Sequence, residues 1–312
     1  AIICLMAPVF GRAMEAGDKE EKKDFIKWVD FDVPSSLMRK AIDADIESYE
    51  GEHVDWIDIL AYLGAKYGGD FGCYKEKDFT AAVEKLRAAE DLSGMPNYNS
   101  YNYYKEAYGA VLGGIVGEYE VQGEEGWERR YGIKAYSPIA KTFPYNDYDD
   151  FGVSREYGYR RRHLGHDMMA AVGTPVIAVE SGTVEALGWN QYGGWRVGIR
   201  SFDGLRYHYY AHLRKDRPFA QGLELGGTVM AGDVIGYVGR TGYSASENVN
   251  GIKESHLHYG LQIIFDESQK EGNGEIWVDV YGICQLLRRS QSQVQRDDET
   301  KEWTRTQAYR EP

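Results

Sequence analysis

The sequence has little cysteine, no surplus of basic charge and no long apolar run, and each shortage removes a class of protein. Cys4, Cys73 and Cys284 are too few and too far apart for a disulfide framework or a paired-cysteine zinc site. With 36 basic against 49 acidic side chains, the 312 residues carry a net charge of −13. Nucleic acid is therefore not an expected partner, because neutralising phosphates takes an excess of Lys and Arg. The apolar opening, Ala1 to Phe10, reaches only about half of the roughly 20 residues a membrane-spanning helix needs. It reads either as the remnant of a signal peptide or membrane anchor, or as an apolar strand of the folded protein. Ile3 stands before Cys4 where a lipid-modified cysteine would want a small neighbour.

What is present describes an ordinary globular chain, 43% hydrophobic and 27% charged, with no low-complexity segment. Its 25 tyrosines suit half-buried strands and surfaces that contact sugars or peptides. Charge is unevenly spread. Residues 151 to 290 hold 15 basic and 15 acidic side chains, so the whole excess of acid lies outside them. That split predicts two segments with different work.

The periodicity agrees. From about residue 34 to 118 apolar groups recur at three- and four-residue intervals: Leu37 to Tyr49 after Pro34-Ser35-Ser36, Val54 to Tyr67 up to Gly68-Gly69, then Lys75 to Glu90 and Ser100 to Tyr119. After a Gly- and Pro-bearing stretch, short β-branched and aromatic runs separated by glycine turns take over, among them 174–179, 182–187, 195–199, 205–211, 234–238 and 257–264. The expected architecture is α+β, a small helical N-terminal domain followed by an antiparallel β-sheet domain. The expected boundaries are an apolar stub at 1–20, helices at 21–120, a linker or entry segment at 121–150, the β-rich domain at 151–287 and a peripheral tail at 288–312.

Six of the seven histidines fall between residues 163 and 258, and only His53 lies outside. If Arg162 to Asp167 and Ser255 to His258 are strands, alternation puts His163 with Asp167 on one face and His256 with His258 on another. Two imidazoles and a carboxylate on facing strands form a set that can hold a metal ion. His163, Asp167 and His258 match the three protein ligands of a catalytic zinc site, whose fourth position stays open. His256 and His212 are then left over. A metal-activated water needs a base, and the charge that develops on the attacked carbonyl needs a donor, so the two spare histidines have two vacancies to fill.

His163-x-x-x-Asp167, Gly173-Thr174-Pro175-Val176-x-Ala178-x-x-Ser181-Gly182-x-Val184, Tyr210-x-His212-Leu213, Gly232-x-x-Ile235-Gly236-x-x-Gly239-x-Thr241-Gly242 and His256-Leu257-His258 follow one another in register. Over residues 160 to 264 the chain thereby resembles the lysostaphin/LytM-type zinc endopeptidases of bacterial cell walls. The resemblance implies one Zn2+ per chain on His163, Asp167 and His258, with His256 as general base and His212 stabilising the oxyanion, the two last roles being open to exchange. It also implies a β-sheet groove, a peptidoglycan cross-link or stem peptide as substrate, and a place at the cell surface or outside it. His208 and Tyr210, by alternation on the face of His212, are expected either near the ligands or the substrate, or as packing residues of the strand. Two features depart from the pattern: His166 stands where an apolar residue is usual and should face away from the metal, and the segment Tyr243 to Glu254 is longer than the family minimum. A non-catalytic wall- or partner-binding module of the same fold is the alternative. A lipoyl-type carrier hairpin around Gly226 to Gly236 is excluded, since no lysine occurs between Arg217 and Arg240.

Overall fold

A computed structural model describes residues 25–88, 92–94, 97–156 and 160–312; the apolar start and Cys4 lie outside them. Four helices come first: α1 (Ser35–Ser48), α2 (Trp56–Tyr67), α3 (Glu76–Arg87) and α4 (Tyr98–Leu112). Helix α2 shows why they form here. The Asp55 carboxylate accepts from the Ile57 amide at 2.7 Å, and Gly68 at φ 66° ends the helix in the left-handed region. Between these caps Ile59, Leu60 and Leu63 are fully buried, each contributing about 1.5–3 kcal/mol relative to exposure.

Helix α4 stops earlier than its periodicity suggests. A Cβ on Gly113 would lie 2.7 Å from the Gly109 carbonyl oxygen, and one on Gly114 would strike the Glu180 carboxyl, so the chain turns there at two glycines. Residues beyond it enter the antiparallel pair β1 (Val116–Gln122) and β2 (Trp127–Ile133). The segment expected to be a linker thus opens with a strand. At the far end of the chain β17 (Tyr309–Arg310) pairs with β1, making a three-stranded sheet of which Tyr309 and Val121 are the buried centre.

The remaining strands are β3 (Tyr145–Asn146), β4 (Ser154–Glu156), β5 (Arg160–Arg162), β6 (His166–Ala170), β7 (Pro175–Ile177), β8 (Gly182–Asn190), β9 (Gly194–Ser201), β10 (Arg206–Ala211), β11 (Thr228–Val229), β12 (Val234–Tyr237), β13 (His256–Ile263) and β14 (Ile276–Val278). Helix α5 (Tyr281–Leu287) and the hairpin of β15 (Val294–Arg296) and β16 (Trp303–Arg305) complete the order. The main sheet runs β11-β8-β9-β10-β13-β6-β3, with β14 on β13. Its strands pair antiparallel, and successive residues face opposite sides.

One side belongs to the helices. On β10, Arg206, His208 and Tyr210 are buried, and Arg206 Nη1 donates to the Ala110 carbonyl of α4 at 2.8 Å. Its Nε and Nη2 donate to the two Glu180 oxygens at 2.8 and 3.0 Å, and His208 Nε2 meets Glu180 at 2.9 Å. Burial would raise the Glu180 carboxyl, but Arg206 and His208 outweigh it and hold it at about 2. A charged cluster kept this dry must be fully paired, and here it joins helix to sheet. The opposite side of the same strands is free to form a cleft. Among the described residues, none that lines that cleft precedes Arg155.

Candidate metal centre

His258 stands directly across from Asp167 in the β13–β6 register, which fixes the first two side chains on one face of the sheet. His163 arrives differently. Residues 163–165 are not strand but a bend between β5 and β6, held by bonds between the Val153 carbonyl and the His163 amide at 3.0 Å and between the His163 carbonyl and the Gly152 amide at 2.8 Å. The expectation of one continuous strand through Arg162 to Asp167 is corrected by that bend. It swings His163 back over Asp167, where simple alternation would have left it further along the surface.

The three side chains converge. His163 Nε2 lies 3.0 Å from Asp167 Oδ1 and 2.9 Å from His258 Nδ1, and His258 Nδ1 lies 3.0 Å from the same Oδ1. Three electron-pair donors at the corners of one small triangle form a set that can hold a metal ion. Gly165 makes the triangle possible: a Cβ there would sit 2.6 Å from His258 Cε1 and 2.8 Å from the Tyr259 carbonyl. Gly165→Ala is therefore expected to displace His258 and weaken metal binding at least tenfold, a loss on the scale of disturbing a ligand's supporting contacts. Metal titration of the folded variant, checked by its melting temperature, measures this.

Outer contacts fix each ligand. His163 Nδ1 donates to the Asp150 carbonyl at 3.0 Å and lies 3.1 Å from an Asp150 carboxylate oxygen, which leaves Nε2 for the metal position. Arg155 Nη2 donates to Asp150 at 2.6 Å and to Asp167 Oδ2 at 2.8 Å, so Oδ1 is the oxygen turned inward. Burial would lower His163, yet Asp150 and Asp167 push it up to about 9. Burial would raise both carboxyls, and the histidines hold them well below the usual range. This excess of negative field favours a cation in the triangle. Asp150 and Arg155 were not singled out from sequence. They meet the ligands from 12 to 17 residues away in sequence, beyond the reach of any local period.

His256 and His212 stand beside the triangle without belonging to it. Their ring centroids are 4.8 Å apart, and His256 Nε2 is 3.7 Å from Asp167 Oδ1. His256 Nδ1 donates to the Glu254 carbonyl and His212 Nδ1 to the Thr241 carbonyl, both at 3.0 Å. Each thus turns Nε2 towards the open side. Burial, then the neighbouring His256 and His258, pushes the His212 imidazole well below its ordinary value, so it rests neutral. His212 also sits at φ 62°, a conformation costing a non-glycine residue about 1–3 kcal/mol.

That left-handed residue explains a second correction. His208 and Tyr210 were expected on the face of His212, but the chain reverses its facing as it leaves β10. Tyr210 accepts from the Val179 amide and His208 bonds Tyr259 and Glu180, all on the helix side. Tyr207, Tyr209 and Ala211 line the cleft in their place. His166, as expected, faces away: its Nε2 meets Asp147 at 3.0 Å and its ring meets Tyr281 edge-on.

The cleft measures about 680 Å3 and continues from the triangle over β10 and β9. Its floor is built by laying rings over glycines. A Cβ on Gly193 would strike Tyr209, one on Gly198 would strike Tyr207, and one on Gly260 would lie 2.9 Å from Trp277. Tyr192 and Tyr243 rise at one rim, with Arg161 stacked on both at 5.4 and 5.2 Å. The long segment after Tyr243 is pinned to this rim, since Asn248 accepts from the Trp195 indole at 2.8 Å.

Residues 161–271 match the model of peptidase family M23. An L-Ala--D-Glu endopeptidase of Bacillus subtilis is 43% identical over 124 residues, which are 40% of this chain and 36% of that one. Lysostaphin of Staphylococcus staphylolyticus is 37% identical over 98 residues, 31% of this chain and 18% of its own. The chain thus spans about a third of the first relative's length and less than a fifth of the second's. A crystal structure of a candidate glycyl-glycine endopeptidase, lytM, from Ruminococcus gnavus superimposes with a TM-score of 0.56 at 25% identity, covering 83% of this chain and 89% of that one.

Proposed function

We propose that this chain, whose residues 161–271 are a peptidase family M23 domain, is a zinc-dependent endopeptidase that cuts peptide bonds of bacterial peptidoglycan, in the cross-link or the stem, at the cell surface or outside it. The observation that carries the proposal is the triangle of His163, Asp167 and His258 at the head of a cleft, with His256 and His212 turned into the same space. Zinc suits this donor set of two imidazoles and one carboxylate. Its bonds of about 2.0–2.1 Å place tetrahedral ligands roughly 3.3 Å apart, and the present separations are only a few tenths of an ångström shorter. When bound, the ion supplies a Lewis acid that polarises a carbonyl and lowers the pKa of water at its open position.

The chain's own residues supply the rest. The cleft floor of Tyr207, Tyr209 and Trp277 gives an extended peptide a flat bed. His256, with Nδ1 committed to Glu254, holds a lone pair at Nε2 and accepts the proton of the attacking water. As imidazolium it can return that proton to the leaving amine. His212 faces the developing oxyanion; because Nδ1 is committed to Thr241, it donates from Nε2 only once that atom carries a proton. Both rings are anchored alike through Nδ1, so variants of each decide the division of labour between them.

Incubation with purified peptidoglycan is expected to release new amino groups, to stop when a chelator strips the metal, and to resume when zinc is returned. A wall preparation that is bound yet never cut, across several peptidoglycan types, would instead support a binding module.

A further inference from the structure

Three arginines of the main sheet and its edge are neutralised by carboxylates: Arg155 by Asp150 and Asp167, Arg206 by Glu180 and Asp203, and Arg200 by Glu267. Arg196 is not. It lines the cleft, no carboxylate among the described residues lies within ion-pairing distance, and its buried Nε has no hydrogen-bond partner. Its neighbours are the phenols of Tyr207, which takes a hydrogen bond from the guanidinium, and Tyr209. A guanidinium in a binding cleft with Nε unpartnered and no ion-paired carboxylate among the described residues, although Glu271 and Glu275 line the cleft elsewhere, is an arrangement that a ligand carboxylate completes.

Register locates it relative to the chemistry. Tyr210 pairs with Val197, so Arg196 lies beside Ala211, and Ala211 pairs with His258, which pairs with Asp167. Arg196, Ala211, His258 and Asp167 therefore form one row across four strands. Neighbouring strands are about 4.8 Å apart, so the β9 backbone is roughly 10 Å from that of His258, or about three residues of extended peptide. Ala211 is the only side chain between them in the row, and a methyl group leaves the path open. Gly198, two residues on from Arg196 on the same face, leaves its space to the Tyr207 ring.

We propose that Arg196 is a specificity-determining residue that binds a free carboxylate of the substrate peptide within about three residues of the scissile bond. The cleft accordingly selects acidic peptides over their amidated counterparts. A guanidinium suits this task because its planar donors meet both oxygens of a carboxylate, whereas a carboxamide presents one acceptor oxygen and no charge. The inference rests on the endopeptidase reading for its substrate, but not for its test.

Two synthetic stem peptides serve as probes, identical except that the α-carboxylate of one glutamyl residue is free in the first and a carboxamide in the second. Calorimetry gives Kd for each on the full chain, and fragment analysis gives kcat/KM. The expected result is a preference of tenfold or more for the free carboxylate in the unaltered protein, a ratio that falls towards one in Arg196→Gln and is partly kept in Arg196→Lys. Binding of neither peptide, an absent preference, or a preference that survives Arg196→Gln overturns the proposal. If the preference in binding depends on Arg196 but neither peptide is cut, this inference stands and the hydrolytic reading falls.

Discussion

His258→Ala is expected to lose more than a hundredfold in metal affinity and to show no peptidoglycan hydrolysis above background. His258 contributes one corner of a triangle whose sides are 2.9–3.0 Å, and no other histidine can replace it. The nearest, His256, has its Nε2 at 3.7 Å from Asp167 Oδ1 and its Nδ1 tied to Glu254. Altering residues that merely support a ligand commonly costs 10- to 100-fold in affinity, so removing the ligand should exceed that range. His163→Ala should behave alike, with a further consequence: Asp150 loses the imidazole that it holds, while Arg155 keeps Asp167. Metal content after dialysis, measured beside the melting temperature, separates loss of the ion from loss of the fold. Full metal retention by both variants would contradict the ligand assignment.

His256→Ala is expected to leave the metal in place and to lower kcat by about 10²- to 10⁴-fold, the usual worth of a positioned general base. His212→Ala is expected to lower it by about 10²- to 10³-fold, the scale of losing one donor to an oxyanion. Conservative variants then tell the roles apart. Glutamine at 212 can still offer an N–H to an oxyanion, so His212→Gln should recover part of the rate. His256→Gln cannot take up a proton and should recover none. The reverse pattern would exchange the two assignments, which the common orientation of their rings permits.

How much of this was legible in the sequence depends on whether a period carried it. His256 and His258 lie on a real strand, and alternation placed both in the cleft. Asp167 also fell where expected, because β6 starts at His166 and turns it to the other side. His163 does lie beside Asp167, but not by the alternation that suggested it, since a bend and not a strand brings it in. His208 and Tyr210 were misplaced because alternation was carried past Ala211 into a residue with positive φ. Only knowledge of that turn would have moved attention to Tyr207 and Tyr209. Arg196 and Arg155 were invisible for another reason: what distinguishes them is the presence or absence of a distant carboxylate, which no local pattern encodes.

The helices were recognisable from their apolar spacing, but their purpose was not. Arg206 and Glu180, 26 residues apart in sequence, meet beneath β10 and engage the end of α4, so the helical layer backs the sheet whose other face works. Glycines at 113 and 114 end that layer, a role that the apolar spacing of the flanking residues concealed.

Anomalous X-ray scattering at the zinc edge from crystals of the protein grown with zinc locates the ion. One strong peak per chain is expected within about 2.0–2.2 Å of His163 Nε2, Asp167 Oδ1 and His258 Nδ1. A peak held by other residues, or none at this triangle, would contradict the ligand assignment.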